Sequence, residues 1–328
     1  MISSETKQIQ ASIPNYNRLI TSTYLTYPEW YIVYSSQEYA EYLKSQLPSR
    51  FPYFSSISQY WWGYGAVNRI TKNRFPSDRG DHVMLMVIGT SYSLEYIIKG
   101  LYENSIGKVT ELLSHNEPTE EDRYAQKVAE AYANYIPEKP WFDFSYTRCL
   151  SDLWTQTSLV GPHIIRKVER KFILSLEYSI KALYSSIIQA ASRLTYGESD
   201  PSVYALANHV PHQLYKQHEN IRRIKTISAR EDIVSLPSEQ PFTDAVTKIM
   251  NTGIWFNDIA GNNEILVTVV TPKNWVFNNK NGQLLFTMNI LTQPGLHRIA
   301  IRVSTRLLLT TLQYFQRNNV KIEHVYAY

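Results

Sequence analysis

The hydrophobic period of this chain changes partway along its length, and that change sets the fold class before any motif is considered. As far as Ile187, apolar side chains recur at spacings of three and four, the period of a helix packed along one face. From Glu264 onward they fall in short β-branched runs separated by turn residues, the pattern of strands. An α+β protein is expected, with an aromatic-rich, all-helical N-terminal domain over residues 1–205.

Several helices of that domain have legible starts. Ser35-x-x-Glu38 reads as a capping box ahead of Tyr39, Tyr42 and Leu43. Ile57, Tyr60, Trp61, Tyr64 and Val67 follow Ser55 or Ser56 as cap. Thr119-x-x-Asp122 opens a helix with Tyr124, Val128, Ala131, Tyr132 and Tyr135 on one stripe, and Pro137 stops it. Two longer helices, about 82–113 and 163–193, are expected to form the core pair. The second carries the stripe Ile165, Val168, Phe172, Leu176, Ile180, Leu183, Ile187, expected to face inward. Its basic turn Arg166-Lys-Val-Glu-Arg-Lys171 is expected to be solvated, with Arg166 as a candidate contact to phosphates or anionic headgroups.

Beyond this part, residues 206–218 read as a linker. Ile221–Leu236, Glu264–Val270, Gln283–Ile290, Leu296–Val303 and Val320–Ala327 read as strands, with helices over Pro241–Thr252 and from Ser304 through Phe315. The order β-α-β-β-(β)-α-β predicts a ferredoxin-like βαββαβ domain over 219–328 with one extra strand. Composition marks the same border. Of 25 tyrosines only Tyr314, Tyr326 and Tyr328 lie beyond residue 218, and the net charge of +4 lies there too, leaving the helical part neutral.

That neutrality speaks against nucleic-acid binding. A single cysteine, Cys149, excludes an internal disulfide and a cysteine-built metal site. The polar opening residues lack the apolar core of a secretory signal. The uncharged run Val83–Leu94 is shorter than the roughly 20 residues a spanning helix needs. No P-loop, GxGxxG, GxSxG or HExxH pattern occurs, and neither a cofactor nor a metal is expected. The histidines His209, His212 and His218 read as part of a solvated linker, because Pro211 breaks any helical face they could share.

One segment occurs twice. Leu94-Glu-Tyr-Ile-Ile-Lys-Gly-Leu-Tyr102 and Leu176-Glu-Tyr-Ser-Ile-Lys-Ala-Leu-Tyr184 share the pattern LEYxIKxLY, with Glu four residues before Lys. The copies read either as two independent amphipathic helices or as a pseudo-symmetric pair, with Glu95 and Glu177 as a candidate carboxylate pair. Asp81 and His82, in Ser77-Asp-Arg-Gly-Asp-His82, and His163, in Gly161-Pro-His163, open the two long helices. They serve as caps or as acid/base candidates. The aromatic clusters Pro28-Glu-Trp30-Tyr31 and Tyr60-Trp61-Trp62-Gly-Tyr64 cannot turn every ring into one core. Trp30, Tyr60, Trp61, Trp62 and Tyr64 are therefore candidate ligand or interface residues.

Taken together, Tyr27-Pro-Glu-Trp-Tyr-Ile-Val-Tyr34, Phe51-Pro-Tyr-Phe54, both LEYxIKxLY segments, Trp154, Gly161-Pro-His163, Ile259-Ala-Gly-Asn-Asn-Glu-Ile265 and Val320-Lys-Ile-Glu-His-Val-Tyr326 resemble an uncharacterised bacterial family across nearly the whole chain. The resemblance implies no assigned activity and no site residue. Many members carry a membrane anchor ahead of the PEWY segment. A cytoplasmic location is expected for this chain as it stands, and the cell envelope if an anchor precedes it. The functional expectation is a non-enzymatic binding or interaction protein, with a small molecule, a protein or a peripheral membrane contact as partner. The alternative is an enzyme or small-ligand protein with an acid/base pocket between the long helices. Pairing of sheet edges would make a homo-oligomer.

Overall fold

A computed structural model describes residues 4–72, 74–75, 79–195, 202–278 and 280–327, the side chains of 79 and 191–195 excepted. Residues 77–78 of the polar stretch before His82, and 196–201 ahead of the expected linker, lie outside the described residues. The helices come first: α1 (Ser4–Ala11), α2 (Ser22–Tyr42), α3 (Tyr53–Lys72), α4 (Arg79–Tyr102), a π turn (Glu103–Gly107), α5 (Lys108–Leu113), α6 (Glu120–Tyr135), α7 (Tyr146–Gln156) and α8 (Ile164–Thr195). There follow β1 (Ser202–Asn208), α9 (His212–Gln217), β2 (Arg222–Ser228), β3 (Glu231–Pro237), α10 (Glu239–Ile249) and β4 (Trp255–Ile259). The chain ends with β5 (Glu264–Pro272), β6 (Gly282–Asn289), β7 (Leu296–Ser304), α11 (Leu308–Arg317) and β8 (Lys321–Tyr326).

The chain gathers into two compact units, neither contiguous in sequence. Met1–Pro28, Trp62–Leu85 and Asp200–Tyr328 form a sheet unit, and Glu29–Trp61 with Met86–Ser199 form a helical unit. The expected borders at 205 and 219 are therefore replaced, because α2, α3 and α4 each contribute residues to both units.

In the sheet unit the strands make two antiparallel sheets instead of one, ordered β2-β3-β1-β4 and β6-β7-β5-β8. α9 and the end of β1 occupy what reads as linker, and β1 begins inside the expected helical part. β1 is an inner strand paired with β3 and β4, and Val203 and Ala205–Ala207 are buried. A strand covered on both faces loses the alternation that would reveal it. Ile221–Leu236, expected as one strand, is the hairpin β2–β3. α10 forms because Phe242, Val246 and Ile249 line one face, as Leu308, Leu312 and Phe315 do on α11. These faces meet Val203 and Val234 of the first sheet and Val267 and Ile301 of the second in one apolar core. Tyr16, with Ile9 and Ile13, covers Leu206 and Ile233 on the other face of the first sheet. On the second, Tyr27 meets Phe286 edge-on at 4.9 Å between ring centres. Gly63 permits this, since a Cβ there would stand 2.9 Å from the Tyr27 ring.

The helical unit is built largely from tyrosines. Tyr31, Tyr34, Tyr53, Tyr60, Tyr92 and Tyr96 are buried and interlock mostly edge to face, with Tyr92 and Tyr96 4.3 Å apart. A buried ring leaves a hydroxyl to satisfy. Ser35 lies 2.8 and 3.0 Å from the hydroxyls of Tyr92 and Tyr96. Ser35 and Glu38 thus stand inside α2 rather than capping a later helix, because α2 continues through Pro28. α6 starts where expected, with the Thr119–Asp122 capping box formed. Tyr124, Tyr146, Leu153, Leu174 and Tyr178 make a second core among α6, α7 and α8.

Candidate interaction surface

α8 turns the opposite way from its expected orientation. Its apolar stripe points outward: Ile165 is 58% exposed, Phe172 66%, Ile180 58% and Leu183 66%. Its basic turn points inward, with Arg166, Lys167, Arg170 and Lys171 all buried. The solvated basic face and the inward stripe are both corrected, and the reason is the set of carboxylates those cations find. Arg166 Nη2 stands 2.9 Å from Asp122, and its Nη1 donates to Glu169 at 3.1 Å, to Thr110 Oγ1 at 2.9 Å and to the Gly107 carbonyl of the π turn at 3.0 Å. Arg170 reaches Glu103 at 2.7 Å and Asp122 at 3.1 Å. The planar guanidinium, with five donors, suits such shared carboxylates. Burial alone would raise the Asp122 carboxyl, but Arg170 and Arg166 outweigh it and hold the group below the usual carboxylate range.

α4, the π turn and α5 run antiparallel to α8, since partners on one side advance as those on the other recede: Glu95 with Lys181, Lys99 with Glu177, Glu103 with Arg170, Gly107 with Arg166. They too face outward with apolar side chains, among them Leu94, Ile98, Leu101, Val109 and Leu112. Between residues 164 and 190 of α8 no charged side chain is exposed. Between 86 and 113 the exposed charges are Glu95 and Lys108. The helices α4–α5 and α8 therefore each present a long, nearly charge-free and largely apolar face.

The two LEYxIKxLY copies form a reciprocal pair inside this arrangement. Glu95 of one meets Lys181 of the other at 2.9 Å, and Lys99 meets Glu177 at 3.2 Å. Equivalent positions share their environment: Tyr96 and Tyr178 are buried, while Leu94 and Leu176, Ile98 and Ile180, and Leu101 and Leu183 are exposed. Each lysine also sits over tyrosine, Lys99 over Tyr39 at 4.5 Å and Lys181 over Tyr146 at 5.8 Å. Burial pushes the Glu177 carboxyl up, yet Lys99 and Lys181 prevail and hold it well below the ordinary range. Both candidate carboxylates are thus engaged by lysine, and Glu177, held ionised by Lys99 and Lys181, is ill suited to give up a proton near neutral pH.

The other candidates lie apart from this pair. His163, with a left-handed φ of 61°, precedes α8 and places Nε2 3.1 Å from Glu117. Fourteen residues of helix separate it from Glu177, about 21 Å at 1.5 Å per residue. Asp81 and His82 stand in the sheet unit, in the first turn of α4, where His82 Nδ1 is 3.1 Å from the Tyr64 hydroxyl. Trp30 and Tyr60 are buried in the helical unit. Trp61 donates from Nε1 to Ser93 at 2.9 Å, and Trp62, half-exposed in the sheet unit, rests edge-on against Phe286. His209 packs on Trp255 and His212 lies beside Arg223. Among the described residues, no three His, Cys, Asp or Glu side chains come together to hold a metal.

Neither a family profile, nor a curated protein, nor a solved structure matches this chain. Among the described residues, no helix is long and apolar enough to cross a membrane.

Proposed function

We propose that this is a non-enzymatic interaction protein acting at a membrane surface through the outward faces of α4–α5 and α8. One observation carries the reading: the charges of α8 are turned inward onto partners while its large apolar side chains are turned out. In water that orientation leaves the apolar stripe without a place to bury itself, and burying apolar surface is the main drive for association. The acid/base pocket draws no comparable support, because Glu95 and Glu177 are held by Lys181 and Lys99 and, among the described residues, pair with no histidine. For the sheet unit we propose two tandem sheets of ferredoxin-like strand order, the first a βαββαβ sheet with α9 and α10 and the second a βββαβ sheet with α11. Both strand orders follow the split βαβ arrangement, with α9 a single short crossover in the first.

The test is flotation of the full chain with phosphatidylcholine vesicles, with and without phosphatidylglycerol. The chain should float. Combining Phe172→Ser with Ile180→Ser should cut the bound fraction at least tenfold, while Lys127→Ser on α6 leaves it unchanged. A wild-type chain that stays in the lipid-free fraction with both vesicle types sinks the reading.

A further inference from the structure

We infer that α4–α5 and α8 lie side by side in the plane of one bilayer leaflet, their outward faces in the acyl region and α6 on the water side. This rests on the membrane reading above and adds the occupant and the orientation. The area comes first. The exposed apolar side chains of the two faces amount to on the order of 2,000 Å², against the roughly 300–600 Å² of the largest patch on an ordinary soluble monomer.

Polarity points to lipid as the occupant. Ionisable groups at an apolar boundary are turned toward the protein interior and paired with one another. The outward arc of α8 carries no charge, while Arg166, Arg170, Lys99 and Lys181 are paired behind it. A second copy fits less well. From Ile165 to Ile187 the stripe advances about 3.7 residues per contact, a period that calls for the rarer right-handed supercoil rather than the left-handed coiled coil of a 3.5 period.

Orientation follows from α6. The stripe of α8 runs about 33 Å, long enough to cross the hydrocarbon, at 1.5 Å per residue. Yet α6 is fastened to the same helix through Asp122–Arg166 and Glu120–Lys167, and it shows Glu120, Arg123, Lys127 and Glu130 to solvent. A crossing pair would carry those charges into the acyl region. An in-plane pair leaves them in water, as for other helices that lie in the interface.

The inference is tested by replacing Cys149→Ala in the full chain and adding one cysteine at a time, Ile98→Cys, Phe172→Cys or Lys127→Cys, each labelled with an environment-sensitive dye. All three sites are exposed, and circular dichroism checks that each variant keeps its helices. With vesicles, the dyes at 98 and 172 should shift to the blue and be quenched at least twofold by lipids carrying a spin label on the acyl chain. The dye at 127 should do neither. If the protein floats but 98 and 172 stay water-like, it meets the membrane elsewhere: the inference falls, the outward faces fall with it, and only action at a membrane surface stands. Quenching at 127 as well overturns the in-plane orientation. A blue shift without vesicles, with a doubled mass by light scattering, assigns the face to a second copy and overturns lipid as the occupant. Absence of flotation overturns the functional reading itself.

Discussion

α6 and α8 are neighbours in the helical unit, both long and both amphipathic, but they turn opposite faces outward. α6 buries Tyr124 and shows Glu120, Arg123, Lys127 and Glu130 to solvent. α8 buries Arg166, Lys167, Arg170 and Lys171 and exposes Ile165, Phe172, Ile180 and Leu183. Helical periodicity is equally clear in both, so periodicity alone does not fix which stripe goes inside. The partners do. The cations of α8 meet Glu103, Glu111 and, from the first turn of α6, Asp122, while Glu120, Arg123, Lys127 and Glu130 of α6 face solvent. A helix whose charges are matched inside can afford an apolar exterior.

The sharpest way to break the contrast is to remove the centre of the inward network. Arg166→Met leaves Asp122 and Glu111 buried without their shared cation and should cost about 3–5 kcal/mol, read from the urea midpoint. A loss under about 1 kcal/mol would mean the inward charges are not what holds α8 in its orientation.

Glu177→Gln should cost less, about 1–3 kcal/mol, because the site is partly open to water. Its signature is a pH dependence. The Glu177 carboxyl is held below its unfolded value, so its share of stability is complete above about pH 4.3 and is lost as pH falls below that. The stability gap between wild type and variant should narrow on acidification below about pH 5. A gap that stayed constant down to about pH 2 would count against the ion pair as its source.

The smallest effect, at Ile180, is read from a matched pair of substitutions on the two stripes. Val128→Asp places a charge against the core of α6 and should cost about 1–3 kcal/mol. Ile180→Asp, at an outward position of α8, should stay within about 0.5 kcal/mol in lipid-free buffer. Equal costs at the two sites would erase the distinction between the helices.

Much of the scaffold was legible in the residues. α6 was placed by its capping box and by Pro137, and α8 by its stripe, because caps and spacing are local properties. β5, β6, β7, α11 and β8 follow from β-branched runs and turn residues. β1 and β4 were not legible, since β1 is covered on both faces and β4 is only five residues long. The repeated LEYxIKxLY segment lies on the two helices that carry the candidate surface. Its pairing across the helices, Glu95 to Lys181 and Lys99 to Glu177, depends on their antiparallel approach, which no local spacing encodes. The inward network was missed for the same reason. Arg166 and Arg170 sit four residues apart on the arc opposite the stripe, which is equally the pattern of a solvated face.

The sheet unit takes its outer layers from the beginning of the chain and its strands from the end. Tyr16 hydrogen-bonds Asp258 across 242 residues, and Thr23 donates to the Tyr326 carbonyl across 303. On a ribosome adding about 5–20 residues per second, the N-terminal segment therefore waits on the order of 15–60 s for the strand it will cover. Until those strands emerge, Tyr16 lacks Asp258, Tyr24 lacks Glu264 and Tyr27 lacks Phe286. β8 closes the second sheet, so a chain truncated before Lys321 would keep the first sheet with its cover of Ile9, Ile13 and Tyr16 but lose the strand whose Tyr326 carbonyl receives Thr23.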